Sequence, residues 1–256
     1  IESCTLDHTS FEASALLDLV RAAPRLRALS LTETPIYTDE IEAITRAHPM
    51  VRLTLDELWL ETEGLAEAIR GRVGALEHLG VAGNPLDEQG IEPLLEVLGD
   101  APLRSVDFSR IPIFEDGLLA LAGTPWCETL RHCALEDAGV GDAAFTALCA
   151  RWQSRELRRL ALSDNAVSDL RPLAGMRSLE HLEMRHNPIE GKHLGLLGEA
   201  LHGLRSLDLE RGGFVARGRA VHEPAVPRRW QPFRVAGLFL DDPPRMAALG
   251  SARAFS

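Results

Sequence analysis

The sequence predicts an α/β solenoid, a curved horseshoe of short coils with a parallel β-sheet on its concave face and helices or short turns on its convex face. Three observations lead there. One pattern of apolar positions recurs nine times, its copies begin 22 to 27 residues apart, and the segments between copies carry helical periodicity. A unit of that size cannot bury its apolar face alone, so neighbouring units must stack to form one continuous core.

The pattern is apolar-x-x-apolar-x-apolar-x-x-(often Asn)-x-apolar, and it opens the chain as IESCTLDHTSF from Ile1. It returns as LRALSLTETPI from Leu26, MVRLTLDELWL from Met50, LEHLGVAGNPL from Leu76 and LRSVDFSRIPI from Leu103. Four copies follow: LRHCALEDAGV from Leu130, LRRLALSDNAV from Leu157, LEHLEMRHNPI from Leu179 and LRSLDLERGGF from Leu204. The apolar residues at positions four and six have period two, so an extended segment points both inward and turns the residues between them to solvent. Cys4, Leu29, Leu53, Leu79, Val106, Cys133, Leu160, Leu182 and Leu207 should therefore form one buried column in a sheet of nine or ten strands.

The return segments read as helices in most copies. SFEASALLDLV after Ser10 and TDEIEAITRAH from Thr38 each begin with a capping residue, carry an acid in the first turn and space their apolar residues helically. GDAAFTALCARW around Phe145 and Leu148 is similar, and Pro93 fits a first helical turn, where its missing N–H costs nothing. The copy from Leu157 is the short one, so SDLRPLAGM makes only a turn or a 3₁₀ segment, and mixed lengths imply uneven curvature.

These copies resemble the leucine-rich-repeat family over about residues 1–214, in a bacterial form with mixed repeat lengths. The resemblance implies one short parallel strand per repeat and a return segment on the convex side. It also implies an asparagine at position nine that bonds backbone groups between coils. Asn84, Asn165 and Asn187 keep it, whereas Thr9, Thr34, Leu58, Ile111, Ala138 and Gly212 replace it, so a continuous asparagine ladder is not expected.

The array is assigned to residues 1–212 and a different segment to 213–256. The tail carries seven basic and three acidic side chains, against 20 and 35 in residues 1–212. It contains the Pro-rich insert AVHEPAVPRRWQPF and then VAGLFLDDP, whose Val235, Leu238 and Leu240 keep the repeat spacing. That segment reads as a degenerate tenth repeat closing the exposed end of the core. At the other end the chain begins inside a repeat, at Ile1, without an N-terminal cap, so the natural protein is expected to continue upstream.

Composition narrows the function. A formal net charge of −11 argues against nucleic acid, whose phosphates demand a basic stripe. No run reaches the roughly 18 apolar residues needed to cross a bilayer, so no membrane role is expected. Cys4, Cys127, Cys133 and Cys149 form no CxxC pair, and two of them replace buried aliphatics, which favours free thiols and a cytoplasmic compartment. The chain holds no G-x-S-x-G elbow, P-loop, dinucleotide-binding glycine pattern or H-E-x-x-H helix, and no cofactor or enzymatic activity is expected.

The candidate site is the outer surface of the strands. Positions three, five, seven and eight supply Asp7, Glu33, Asp56, Glu57, Asp107, Glu136, Asp137, Asp164, Glu183, Asp208 and Glu210, against Arg52, Arg110, Arg159, Arg185 and Arg211, with His186 in the same set. The concave face should be net acidic and should meet a partner protein that is neutral or basic at its contact surface. The alternative is that the charge only keeps the sheet soluble. Position eight forms a row, Arg110, Asp137, Asp164, His186 and Arg211, open to a divalent cation or to internal ion pairs. His78, His132 and His181 lie on alternate strands, roughly 9.6 Å apart, too far for one metal, and read as surface histidines or pH sensors. Phe239 is the aromatic anchor of the set, with Trp230 and Phe233 near it, whereas Trp59, Trp126 and Trp152 are expected to support turns and the convex layer. Two functions remain open: a non-catalytic protein-recognition scaffold, or the recognition arm of a larger multidomain bacterial enzyme or effector.

Overall fold

A computed structural model describes residues 1–9, 13–70, 73–85, 90–153, 156–189, 193 and 202–209. Its centre is one parallel sheet of nine three-residue strands in chain order: β1 (Ser3–Thr5), β2 (Ala28–Ser30), β3 (Arg52–Thr54), β4 (His78–Gly80), β5 (Ser105–Asp107), β6 (His132–Ala134), β7 (Arg159–Ala161), β8 (His181–Glu183) and β9 (Ser206–Asp208). Every pairing sets position four against position four, from Cys4 on Leu29 to Leu182 on Leu207. Eight of those nine residues are at most 3% exposed. Cys4 is the exception, half-buried because β1 is an edge strand covered on one side only.

The convex layer holds α1 (Ala13–Ala22), α2 (Thr38–Ala47), α3 (Thr62–Ile69), α4 (Glu92–Leu98), α5 (Phe114–Gly123) and α6 (Asp142–Trp152). Shorter 3₁₀ segments span Val73–Ala75, Pro125–Thr129 and, in the short repeat, Arg171–Gly175. Pro93 lies in the first turn of α4, as its missing donor requires. The expected cap of α2 is displaced by one residue. Thr38 is already helical, and the capping position is Tyr37, whose N–H donates to Glu40 Oε2 at 2.9 Å. Ser10, the insert, the 213–256 segment and the tenth repeat of Val235, Leu238 and Leu240 lie outside the described residues.

A turn with one fixed conformation carries the chain out of each of the strands β1 to β8. Position eight is left-handed at His8, Glu33, Glu57, Arg110, Asp137, Asp164 and His186, with φ between 49° and 58°, and at Gly83 with φ 68°. A non-glycine residue pays roughly 1–2 kcal/mol for that conformation. The return is a hydrogen bond. The position-eight N–H of His8, Glu33, Glu57, Gly83, Arg110, Asp137 and Asp164 donates to the position-seven carbonyl of the next coil at 2.7–3.1 Å, extending the ladder beyond the strand.

Position nine then locks the coils where asparagine is present. Asn84 Oδ1 accepts from the N–H of Leu58 and Leu60, and its Nδ2 donates to the carbonyls of Leu55 and Val81. Asn165 does the same for Ala138 and Val140, and Asn187 accepts from Val167. At Thr34 a buried hydroxyl donates to the Leu6 carbonyl at 2.7 Å, a single-bond substitute. The ladder is interrupted, as the replacements implied.

Candidate functional site

The concave surface is built from positions three, five and seven, and each behaves differently. Positions three and five leave the sheet toward solvent. Position seven does not do so uniformly: Ala82, Ser109 and Ser163 are at most 4% exposed. The reason is the turn, which folds the position-seven side chain against the next coil's backbone. Asp7 Oδ1 accepts from the Thr32 N–H at 3.1 Å, Asp56 Oδ1 from the Ala82 N–H at 2.8 Å, and Ser109 Oγ from the Glu136 N–H at 3.2 Å. The acids at this position therefore hold the coils together as well as charging the face, which corrects the expectation that they simply point outward.

Charge on the face is divided by position. Position three carries the charges of Arg52 and Arg159 and the imidazoles of His78, His132 and His181. Burial and then Arg52 hold the His78 imidazole below its usual value, and burial and then Arg159 do the same for His132. The acids lie at positions five to eight. Burial pushes the Asp56 carboxyl up to about 6, with Asp107 and Glu57 adding repulsion against the opposing pull of the Ala82 N–H and Arg110. Glu136 is raised by burial and by Glu183, with Asp107 and Asp164 contributing. Between the rows, β5 to β8 enclose a shallow hollow of about 210 Å³, floored by Ala134 and Ala161 and edged by Asp107, His132, Arg159 and Glu183. That is below the size of a drug-like ligand site, roughly 300–1,000 Å³.

The position-eight row does not converge on a cation. Arg110 reaches past Gly83 to Glu57 at 2.6 Å, and His186 Nδ1 lies 2.5 Å from Asp164. Arg185 meets Asp208 through Nε and Nη2 at 2.8 and 2.6 Å. Asp107 Oδ1 accepts from the Ser109 N–H, and Asp137 is exposed. Among the described residues no group of three or more His, Cys, Asp or Glu is placed to hold a metal ion. Glu210, Arg211 and Phe239 lie outside the described residues.

Aromatic side chains depart furthest from expectation. Trp126 and Trp152 are buried in the convex layer, but Trp59 is 85% exposed. Tyr37 and Phe114 are also exposed, on the same turns that lead out of the sheet. Positions ten and twelve are exposed or half-exposed in every described coil, so the outward setting of these rings belongs to their place in the repeat.

Comparison with known proteins places this geometry. An internalin (inlF) from Listeria monocytogenes str. 4b F2365 superimposes with a TM-score of 0.53 at 17% identity, over 83% of this chain and 68% of the internalin chain. The fold is a leucine-rich-repeat solenoid. Two curated relatives are both "NACHT, LRR and PYD domains-containing protein 5": the human protein is 27% identical over 201 residues and the bovine protein 26% over 212. The matches cover 72% and 71% of this chain but only 17% and 18% of those proteins, so the solenoid spans less than a fifth of their length. No family model matches the chain.

The likeness to an internalin corrects the cytoplasmic assignment. The thiols that suggested it report packing and not a compartment. Cys127, Cys133 and Cys149 are buried as small apolar side chains, and burial pushes the Cys127 thiol up to about 12 and raises the other two as well. No described helix is long and apolar enough to cross a membrane.

Proposed function

We propose that this leucine-rich-repeat solenoid is a non-catalytic recognition scaffold that binds a protein with a neutral or basic contact surface on the acidic part of its concave face. The observation that carries the reading is the state of Asp56 and Glu136. Both carboxyls are fixed on a rigid sheet, partly desolvated and crowded by other acids, so both titrate above their ordinary values. A cation docked beside them relieves that repulsion, which is the electrostatic complementarity that steers and selects partners. The fold supports the reading by presenting nine strands in fixed register along one face.

The test is affinity capture with the full chain beside a Glu136→Lys, Glu183→Lys variant of equal melting temperature. A protein retained by the first and lost by the second, with binding that weakens as salt rises, is the expected result. Salt-insensitive binding, or equal retention by both forms, rejects the acidic face. A second reading, the recognition arm of a larger enzyme or effector, is favoured by the relatives, in which the matched region is under a fifth of the whole.

A further inference from the structure

Tyr37, Trp59 and Phe114 stand where the chain leaves the strand for the convex layer, in the second, third and fifth coils, and they are 75%, 85% and 66% exposed. In contrast, Trp126 and Trp152 are 2% and 1% exposed. The fold thus has room to bury indole rings and leaves this one out. The backbone sharpens the point. Trp59 and Phe114 both sit at φ 59°, a region that bulky side chains rarely occupy. The residue matching Trp59 in the sixth coil is Gly139, at φ 79°, which is the side-chain-free solution to the same turn. Backbone strain at a mostly exposed aromatic points to a side chain that serves a site.

The surroundings specify what such a site takes. Glu57 and Glu61 bracket Trp59, Asp39 follows Tyr37, and Glu115 and Asp116 follow Phe114. Of these, Asp39, Glu61, Glu115 and Asp116 are exposed. Tyr37 and Trp59 belong to adjacent coils and Phe114 to the coil two further on, each with an exposed carboxylate within two residues in the chain. Exposed ring faces and acids attract the same chemistry, a guanidinium or ammonium group with an aliphatic stem.

We infer that this edge of the solenoid docks a basic polypeptide segment, whose arginine or lysine side chains lie over Trp59 and Phe114 and pair with Glu61, Glu115 and Asp116 beside them. The surface is separate from the concave face and does not depend on the function proposed for it.

The test is to pan a random-peptide library on the full chain and measure the enriched peptides against three variants by fluorescence polarisation. Enriched sequences should be rich in arginine or lysine. Trp59→Gly and Phe114→Asn should each weaken binding on the order of tenfold, the scale of an interface hot spot. Their melting temperatures should be unchanged or higher, because both substitutions suit a left-handed backbone. The concave-face variant Glu136→Gln, Glu183→Gln should bind as the parent does. Enrichment of acidic sequences, no enrichment, or full affinity in both aromatic variants overturns the inference. Affinity lost only in the concave-face variant also overturns it, and supports the concave reading instead.

Discussion

The coils from Met50 to Glu156 and the single coil from Leu157 to Ser178 solve the same problem with different amounts of chain. The former are 26 or 27 residues long and close through helices α3 to α6, whereas the latter has 22 and closes through a 3₁₀ segment. The sheet does not register the difference: β7 pairs with β6 and with β8 position for position. What changes is how the outer turn is held. Asn84 accepts two N–H groups across its coil boundary, but Asn187, which faces the short coil, accepts one. In its place α6 lends a side chain. Asp142 accepts from the N–H of Ser168 and Asp169 and from the Ser168 hydroxyl, fixing the turn that a helix would otherwise set. The eleven-residue motif is thus self-sufficient, and the return segment is free to vary if a neighbour supplies the missing bonds.

The strongest way to break this comparison is Asn84→Ala. It leaves two buried N–H groups without an acceptor at about 1–3 kcal/mol each, so a loss of roughly 2–6 kcal/mol is expected in urea unfolding. Leu160→Ala, in the core column of the short coil, should cost about 2–5 kcal/mol. A loss under about 1 kcal/mol would show that β7 is not packed like its neighbours. Asn187→Ala should cost less than Asn84→Ala, about 1–3 kcal/mol, because one N–H, that of Val167, loses its acceptor where Asn84→Ala strands two. Equal losses at the two asparagines would mean that count of bonds does not set the strength of a coil boundary.

Most of the fold was legible because period two and the repeat length are short-range properties of the chain. The column from Leu29 to Leu207, the 3₁₀ closure at Arg171–Gly175 and the interrupted asparagine ladder all follow from them. The site was legible only in composition. Pooling the charges of positions three to eight hid the separation of Arg52 and Arg159 from Asp56 and Glu136, which depends on where each side chain leaves the strand. Position seven is buried where its side chain is small, at Ala82, Ser109 and Ser163, and exposed at Arg185, although the left-handed residue at position eight follows all four. No residue type marks that residue, since His, Glu, Arg, Asp and Gly all occupy it.

Asp142 and Asp56 make the finest test, since both are half-buried aspartates that accept backbone N–H groups from the next coil. Asp142 receives two such bonds and a hydroxyl, and these hold its carboxyl below the usual value despite burial. Its contribution is therefore present at neutral pH and is lost as pH falls below the ordinary 3.8. Asp142→Ala should cost about 1 kcal/mol at neutral pH, as for a lost turn cap, and little in strong acid. Asp56 receives one bond and faces Asp107 and Glu57, and burial dominates, raising it to about 6. The folded state then binds that proton more tightly than the unfolded chain does, so stability rises as pH falls from about 6 toward 3.8 and gains no more below. Asp56→Asn keeps an acceptor for the Ala82 N–H and removes the charge. It should be no less stable than the parent at neutral pH, and the difference between the two should shrink or reverse on acidification through that window. Urea titrations at a series of pH values measure this directly. A variant that loses stability at neutral pH would show that the Asp56 charge holds the coils together, and that crowding among the acids is not what a cationic partner relieves.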